Sequence, residues 1–403
     1  MNAPADHPAL LFTAFEPSGD DHASAVIAEI RRRRPDQRIY AWGGPKMASA
    51  GAEVVHRTGE DAVVGIPTLD KILEHQRINR DIERWLRAHP DVAVHVPVDS
   101  PAANFPICAI AKKQKRQVVH LVAPQIWAWG GWRINKLRRC TDLVLCFNPF
   151  EETWFRERDV PAKFIGNPVF DEPLDLAALS ERADALPGGS PKLAIFPGSR
   201  PAELRRNFPV MLRTFRQLRE RFLRMTGIVG AVNEPVRAQL YEKANLLGGW
   251  PEGLDIVAGE TDLLVRWCDA AMVVSGTVTL QIAKQCKPMV TMYKTNKIMY
   301  ELVGRRLITT PLFTLPNLIA GRKVVPELIP YFKDEGQLFE AVSSLLSDEG
   351  ALESQRNALR ADVLGPFESV AAASGAADAI LSVMGVEPTD PHVVIRDGVR
   401  VGV

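Results

Sequence analysis

Little in this sequence ties it to a disulfide framework, a membrane span or a polyanion. Its five cysteines, Cys108, Cys140, Cys146, Cys268 and Cys286, are odd in number, form no C-x-x-C pair and have no histidine at metal-ligand spacing. That excludes a stapled scaffold and leads us to expect reduced core thiols in a cytoplasmic protein. No apolar run reaches the ~18 to 20 residues of a membrane helix. Met1 to Pro8 lack the basic start and long apolar core of a signal peptide. Forty-nine Lys and Arg against 48 Asp and Glu leave a net charge of +1. No global field therefore recruits nucleic acid, and an anionic ligand must be held locally. Internal repeats and low-complexity tracts are absent too.

What is present is globular: 403 residues, 46% hydrophobic and 24% charged. That length exceeds one typical core, so two domains of about 150 to 200 residues are expected. The clearest junction is Ile195 to Arg206. A short apolar run enters it, Pro197-Gly198 make a turn, Ser199 suits an N-cap, and Phe208, Met211, Leu212, Phe215 and Leu218 recur at helical spacing. Such a junction presents backbone N–H groups and a positive dipole end, with Arg200 beside them for a bidentate grip on phosphate oxygens. It suits a diphosphate, although an ordinary strand-to-helix connection has the same pattern.

The rest of the chain alternates in the same way. Ala9 to Ala14 reads as a strand entering Phe15-Glu16-Pro17-Ser18-Gly19-Asp20-Asp21-His22, and a helix follows that ends in the basic run Arg31 to Arg34, expected to be a solvated helix end. Ile39 to Trp42 is the next strand. Val63 to Leu73 is apolar but broken by Gly65 and Pro67, which suits an exposed loop or broken helix. Val63, Val64, Ile66, Leu69, Ile72 and Leu73, with Lys71, Arg77 and Arg80 nearby, form a candidate membrane-facing segment; packing into the core is the alternative. Val92 to Val98 is an almost uninterrupted β-branched run, the pattern of a strand buried on both faces of a parallel sheet. It delivers Asp99 to the sheet edge where open α/β folds bind ligands, or to the start of the next helix as a cap. Trp127, Trp129 and Trp132 crowd a loop with Gly130 and Gly131. Glu172 to Pro191 is rich in Asp, Ala, Pro, Gly and Ser and marks a boundary, after which the β/α alternation begins again and ends in a small-residue-rich helix near Val383. The fold class is α/β, with two Rossmann-like β/α/β domains over 1–175 and 190–365 and a helix over 366–385 expected to cross back to the first domain.

Taken together, these segments resemble the lipid-A-disaccharide synthase family of inverting glycosyltransferases over roughly residues 10 to 380. Glu16-Pro17-Ser18-Gly19-Asp20 is similar to its GExSGD opening and Gly43-Gly44-Pro45-Lys46-Met47 to GGPxM. Asp99-Ser100-Pro101 with Asn104 is similar to DxPxxN, Pro124 to Trp129 to P-x-x-W-A-W, Pro149-Phe150-Glu151 to PFE and Phe164 to Pro168 to FIGHP. In the second half Pro197 to Arg200 with Glu203 is similar to PGSRxxE, Ser275 to Leu280 to SGTxTLE, and Leu315 to Arg322 to LPNxxAGR. The series in order is far more specific than any single motif.

The resemblance implies a GT-B architecture, two domains facing a central cleft, and the joining of a UDP-activated 2,3-diacylglucosamine to 2,3-diacylglucosamine 1-phosphate with release of UDP. It implies Asp99 and Glu16 as catalytic residues. Ser199, Arg200, Glu203, Gly276, Thr277, Gln281 and Asn317 fall on the nucleotide side, and Ser18, Asp20, Asn104 and Trp127 on the acceptor side. It implies no metal and no cofactor, in keeping with the lack of a DxD-type cluster, and a peripheral place at the inner membrane, with a homodimer also expected. Phe15, Ala102, Ala103, Ala123, Asn167 and Gln281 depart from the family pattern. A related enzyme on another sugar acceptor, a UDP-sugar epimerase, or a UDP-sugar-binding homologue without turnover stand as alternatives.

Overall fold

The computed structural model describes residues 8–58, 69–295, 297, 300–301, 310–385, 394–396 and 399–401. The chain divides into two compact units, Met1–Asp171 with Ser369–Val403, and Glu172–Glu368. In the first unit the order is β1 (Ala9–Thr13), α1 (Pro17–Arg33), β2 (Ile39–Gly43), α2 (Pro45–Ser49), β3 (Glu53–Arg57), α3 (Leu69–Ala88), β4 (Val92–Pro97), α4 (Pro101–Lys113) and β5 (Gln117–Leu121). Then follow α5 (Ile134–Cys140), β6 (Leu143–Cys146), α6 (Pro149–Arg156), β7 (Ala162–Phe164) and α7 (Pro168–Asp171). These strands form one parallel sheet in the order β3-β2-β1-β4-β5-β6-β7.

The apolar runs are continuous because helices cover both faces of the sheet. All five residues of β1 are buried, and in β4 Val94, His95 and Val96 are fully so. His95 is the polar exception, and burial drives its pKa down to about 3, so it sits as a neutral ring. Its Nε2 lies 2.9 Å from the Thr13 hydroxyl.

The chain's last helix, Ala372–Val383, belongs to this first unit. Its Ala372, Ala376, Ala377, Ile380 and Leu381 share a core with Ala23, Val26, Ile27 and Ile30 of α1. The small side chains allow close helix approach. Arg33 corrects the expectation of a fully solvated basic run: its side chain is only 2% exposed and is paired with Glu29 (2.8 Å) and with Asp378. It also donates to Ser374 Oγ at 2.7 Å.

The second unit contains α8 (Leu176–Asp184), β8 (Lys192–Phe196), α9 (Pro201–Arg221), β9 (Thr226–Ala231), α10 (Glu234–Asn245), β10 (Leu254–Ala258), α11 (Thr261–Trp267), β11 (Ala270–Val274), α12 (Val278–Lys284), β12 (Met289–Lys294) and β13 (Glu327–Tyr331). Its parallel sheet runs β10-β9-β8-β11-β12-β13. The core gathers Phe208, Met211, Phe215 and Leu218 of α9, as their spacing predicts, with Leu193, Ile195 and Val229. The stretch read as a boundary is not all linker: Asp175 accepts from Ala178 N–H at 2.9 Å and so caps α8.

In each sheet the strand order reverses once, between β1 and β4 and between β8 and β11. Such switch points open a crevice beyond the carboxyl ends of the strands, the usual ligand position in open α/β sheets. Among the described residues no helix is long and apolar enough to cross a membrane.

Candidate active site and nucleotide pocket

At the β1/β4 switch point the chain places Glu16 just after β1 and Asp99 just after β4. Asp99 and Ser100 both have left-handed backbones, with φ of 47° and 38°. For non-glycine residues each such conformation costs ~1–3 kcal/mol and persists only where its surroundings enforce it. Here they do. Asp99 N–H donates to Leu121 O at 3.0 Å, and the Asn104 amide donates to Val98 O at 3.0 Å and to Asp99 O at 2.9 Å. Thr13 Oγ in turn donates to Asn104 Oδ1 at 2.7 Å.

The turn aims carboxylates at one another. Ser100 Oγ donates to Glu16 Oε1 at 2.7 Å. Burial raises the Asp99 pKa, and the neighbouring Glu16 charge adds to the rise; the Ser100 backbone N–H and His22 pull it back down. A carboxylate held this way is a stronger base than one in water. It does not cap α4, whose first residues follow Ser100 with no side-chain cap. His22, one turn into α1, is the neighbour the sequence did not single out. Burial lowers its pKa while Asp99 and Asp21 raise it, and its ring meets Phe147 edge-on at 5.0 Å. Its sequence signal was its place two residues after the Gly19-Asp20 pair, on the first turns of the helix leaving β1.

Three of the expected acceptor-side residues have partners within the protein. Asp20 is buried, and its carboxylate accepts from Gly44 N–H (3.1 Å), Lys46 N–H (3.0 Å) and Met47 N–H (3.1 Å), so it fastens the start of α2. A Cβ at Gly44 would lie 2.4 Å from Asp20 Oδ2, which is why glycine stands there. Asn104 is fully buried and holds the Asp99 turn as described. Trp127 is buried too, and its indole N–H donates to Glu151 Oε1 at 3.0 Å. Glu151 was legible as a capping residue three positions after Asn148, whose N–H it accepts at 2.9 Å. Burial raises its pKa to about 7 against the pull of these donors. Ser18 alone of the acceptor-side set is exposed, in the first turn of α1.

At the β8/β11 switch point a cavity of about 380 Å³ opens between the ends of β8, β9 and β11. Ser199, Arg200 and Glu203 line it from one side and Gly276, Thr277 and Gln281 from the other. Its loop differs from the expectation in two ways. Arg200 rather than Ser199 holds the N-cap position of α9. The loop N–H groups of Ser199 and Arg200 are already bonded, at 3.2 and 3.3 Å, to the Glu203 carboxylate, which also accepts from the Arg200 guanidinium at 2.9 Å. The N–H groups assigned to a phosphate are therefore satisfied internally. Glu203 is a loop clamp, made possible by Gly198 at φ 106°, where a Cβ would lie 2.8 Å from Glu203 Oε2. The Arg200 side chain stays 72% exposed with donors to spare. Thr277 and Gly276 are exposed, while Thr279 turns its hydroxyl to Gly276 O at 2.7 Å.

Asn317, also expected on the nucleotide side, does not line this cavity. It is fully buried: Oδ1 accepts from Val324 N–H and Val325 N–H at 2.7 and 2.9 Å, and Nδ2 donates to Val325 O at 3.0 Å. These bonds hold the turn leading into β13. Among the described residues no group of three or more His, Cys, Asp or Glu is placed to hold a metal ion.

Two parallel α/β units with ligand crevices at their switch points make the fold class of GT-B glycosyltransferases and related sugar-nucleotide epimerases. The UDP-GlcNAc 2-epimerase from Neisseria meningitidis bound to UDP-GlcNAc superimposes with a TM-score of 0.58 at 12% identity, over 93% of this chain and 99% of that one. CalG4, the calicheamicin glycosyltransferase, gives 0.56 at 16% identity, over 94% and 99%. The sequence carries the assignment further. Residues 10–376 match the lipid-A-disaccharide synthetase family. The lipid-A-disaccharide synthase of Myxococcus xanthus (strain DK1622) is 32% identical over 384 residues, 94% of this chain and 98% of its own. That of Anaeromyxobacter sp. (strain K) is 34% identical over 382 residues, 93% and 97%. The chain belongs to the lipid-A-disaccharide synthase family of glycosyltransferases.

Proposed function

We propose that the protein transfers a 2,3-diacylglucosamine from UDP to the 6-hydroxyl of 2,3-diacylglucosamine 1-phosphate, giving a β-1,6-linked disaccharide 1-phosphate and UDP. The observation that carries this is Asp99: a carboxylate of raised basicity, on an enforced left-handed turn, at the crevice where β1 and β4 diverge. In an inverting displacement it removes the proton of the attacking hydroxyl as the new glycosidic bond forms. Glu16, tied to the same turn through Ser100, holds that turn and orients the acceptor sugar.

The leaving diphosphate needs positive charge where its own charge develops. Arg200 supplies it, with Ser199 and Thr277 hydroxyls at hand. Gln281 accepts from a ribose hydroxyl through its amide oxygen. Burying acyl carbons stabilises a lipid in the bilayer by ~0.8 kcal/mol per CH₂, so the enzyme works as a peripheral protein at the cytoplasmic face of the inner membrane. The earlier candidate for that contact, Val63 to Leu73, lies outside the described residues or their described side chains. Incubating the purified protein with both acylated sugars and following UDP and disaccharide tests the proposal. UDP release with a disaccharide is expected; an epimerised donor without disaccharide, or UDP-sugar binding without turnover, would overturn it.

A further inference from the structure

The loop after β5 carries a second surface. Of the chain's eight tryptophans, Trp129 and Trp132 are the ones standing free, 48% and 65% exposed. Their exposure is held rather than incidental. Trp127, between them and β5, is pinned inside by Glu151 and by the Phe150 ring at 4.8 Å. Gly130, at φ 77°, leaves room for the Arg133 guanidinium to fold back over the Trp129 ring, 4.2 Å from its centroid. The loop is thus braced through Trp127 and leaves the two indoles exposed.

The charge around these indoles is all of one sign along the chain. From Trp127 to Thr141 the sequence holds Arg133, Lys136, Arg138 and Arg139 and no Asp or Glu, in a protein whose total is +1. Lys136, Arg138 and Arg139 are exposed on α5, the helix that begins two residues after Trp132, and Arg138 there donates to Arg158 O and Asn135 Oδ1. Indoles settle at the boundary between headgroups and acyl chains, where the ring is buried and the N–H stays wet. Basic side chains beside them gain from an anionic leaflet. The loop leaves the same sheet edge as the candidate base, since Leu121 O at the end of β5 accepts the Asp99 N–H.

We propose that Trp129 and Trp132, with the basic residues of α5, form a docking surface for an anionic phospholipid membrane. The inference deepens the reaction proposed above and rests on it for the identity of the lipid substrate. Stacking on single-stranded nucleic acid would use similar residues, but it needs a groove of positive charge tracking a backbone, whereas these residues sit on one loop and the short helix after it.

The test uses the full chain, wild type, Trp132→Ser and Arg139→Ala. Binding is followed by sedimentation with vesicles of mixed phosphatidylglycerol and phosphatidylcholine, and insertion by quenching of tryptophan fluorescence with brominated acyl chains. Wild type should bind the mixed vesicles, not phosphatidylcholine alone, and be quenched. Trp132→Ser should lose most of the quenching, and Arg139→Ala should bind about fivefold more weakly. Both variants should keep wild-type UDP release from detergent-dispersed substrates. Undiminished vesicle binding by both variants, or a fluorescence response to an oligonucleotide and none to vesicles, overturns the proposal. If wild type releases no UDP in detergent while the variants still lose vesicle binding, the reaction falls and the surface stands.

Discussion

The two switch points of this protein solve opposite problems. The β1/β4 crevice is dense and pre-strained: two consecutive left-handed residues, a fully buried Asn104 holding them, and a carboxylate whose basicity burial raises. The β8/β11 crevice is open, its principal cation 72% exposed and partly neutralised by Glu203. A base must be desolvated and fixed before substrate arrives, because its proton affinity is what it contributes. A diphosphate grip must stay solvated and adjustable until its ligand arrives, and an exposed ion pair such as Arg200–Glu203, worth at most ~1 kcal/mol, is readily exchanged for phosphate.

That contrast can be broken most severely at the base. Asp99→Asn keeps the shape of the turn and removes the proton acceptor, so turnover at saturating substrates should fall by ~10² to 10⁴. In the wild type, kcat/KM should decline on acidification through a value above the ordinary carboxylate pKa of 3.8, since the functional, ionised form of the free enzyme is lost as pH falls through a raised pKa. Near-normal turnover of the variant would remove Asp99 from the role.

At the open crevice the effect should fall on binding. Arg200→Ala should weaken UDP binding by about tenfold to a hundredfold, the range for hydrogen bonds to a charged group, with a calorimetric Kd as the readout. An unchanged Kd would show that the cavity does not hold the diphosphate through Arg200.

Asn104→Ala sharpens the comparison from the side of strain. It leaves the Val98 and Asp99 carbonyls and the Thr13 hydroxyl short of a partner, which should cost ~1–3 kcal/mol in urea unfolding. It should lower kcat while leaving UDP affinity unchanged. A purely structural residue would move stability without that kcat effect.

The smallest expected effect concerns Glu151. Its carboxyl has an ordinary pKa of 4.5 and is held at about 7 by burial in the fold. The proton is bound more tightly when folded, so this contribution to stability is complete below pH 4.5 and is lost as pH rises through 7. The thermal midpoint of Glu151→Gln should therefore fall less than that of wild type between pH 5 and pH 8. Parallel curves for the two would contradict the assignment.

Much of the fold is legible in the chain. The run Val92 to Val98 reads as a strand covered on both faces, and Phe208, Met211, Phe215 and Leu218 read as the inner face of a long helix, because periodicity reports which environment a segment requires. The position of Asp99 at a strand end is legible for the same reason. The helix Leu176–Asp184 is not, because its Ala, Asp and Ser content matches that of a linker and its Asp175 cap shows only in the folded geometry.

Sequence by itself determined the two parallel β/α units, the ordered motifs that place the chain in its family, and the presence of Asp99, Glu16 and Arg200 just after strand ends. Tertiary structure alone decided which polar motif residues are bonded to the protein itself. Asp20 meets backbone 24 to 27 residues away, Asn104 meets Thr13 across 91, Trp127 meets Glu151 across 24, and Arg33 reaches Ser374 across 341. A polar side chain in a motif is equally able to bind substrate or backbone, and only the partner that folding brings within about 3 Å settles the matter.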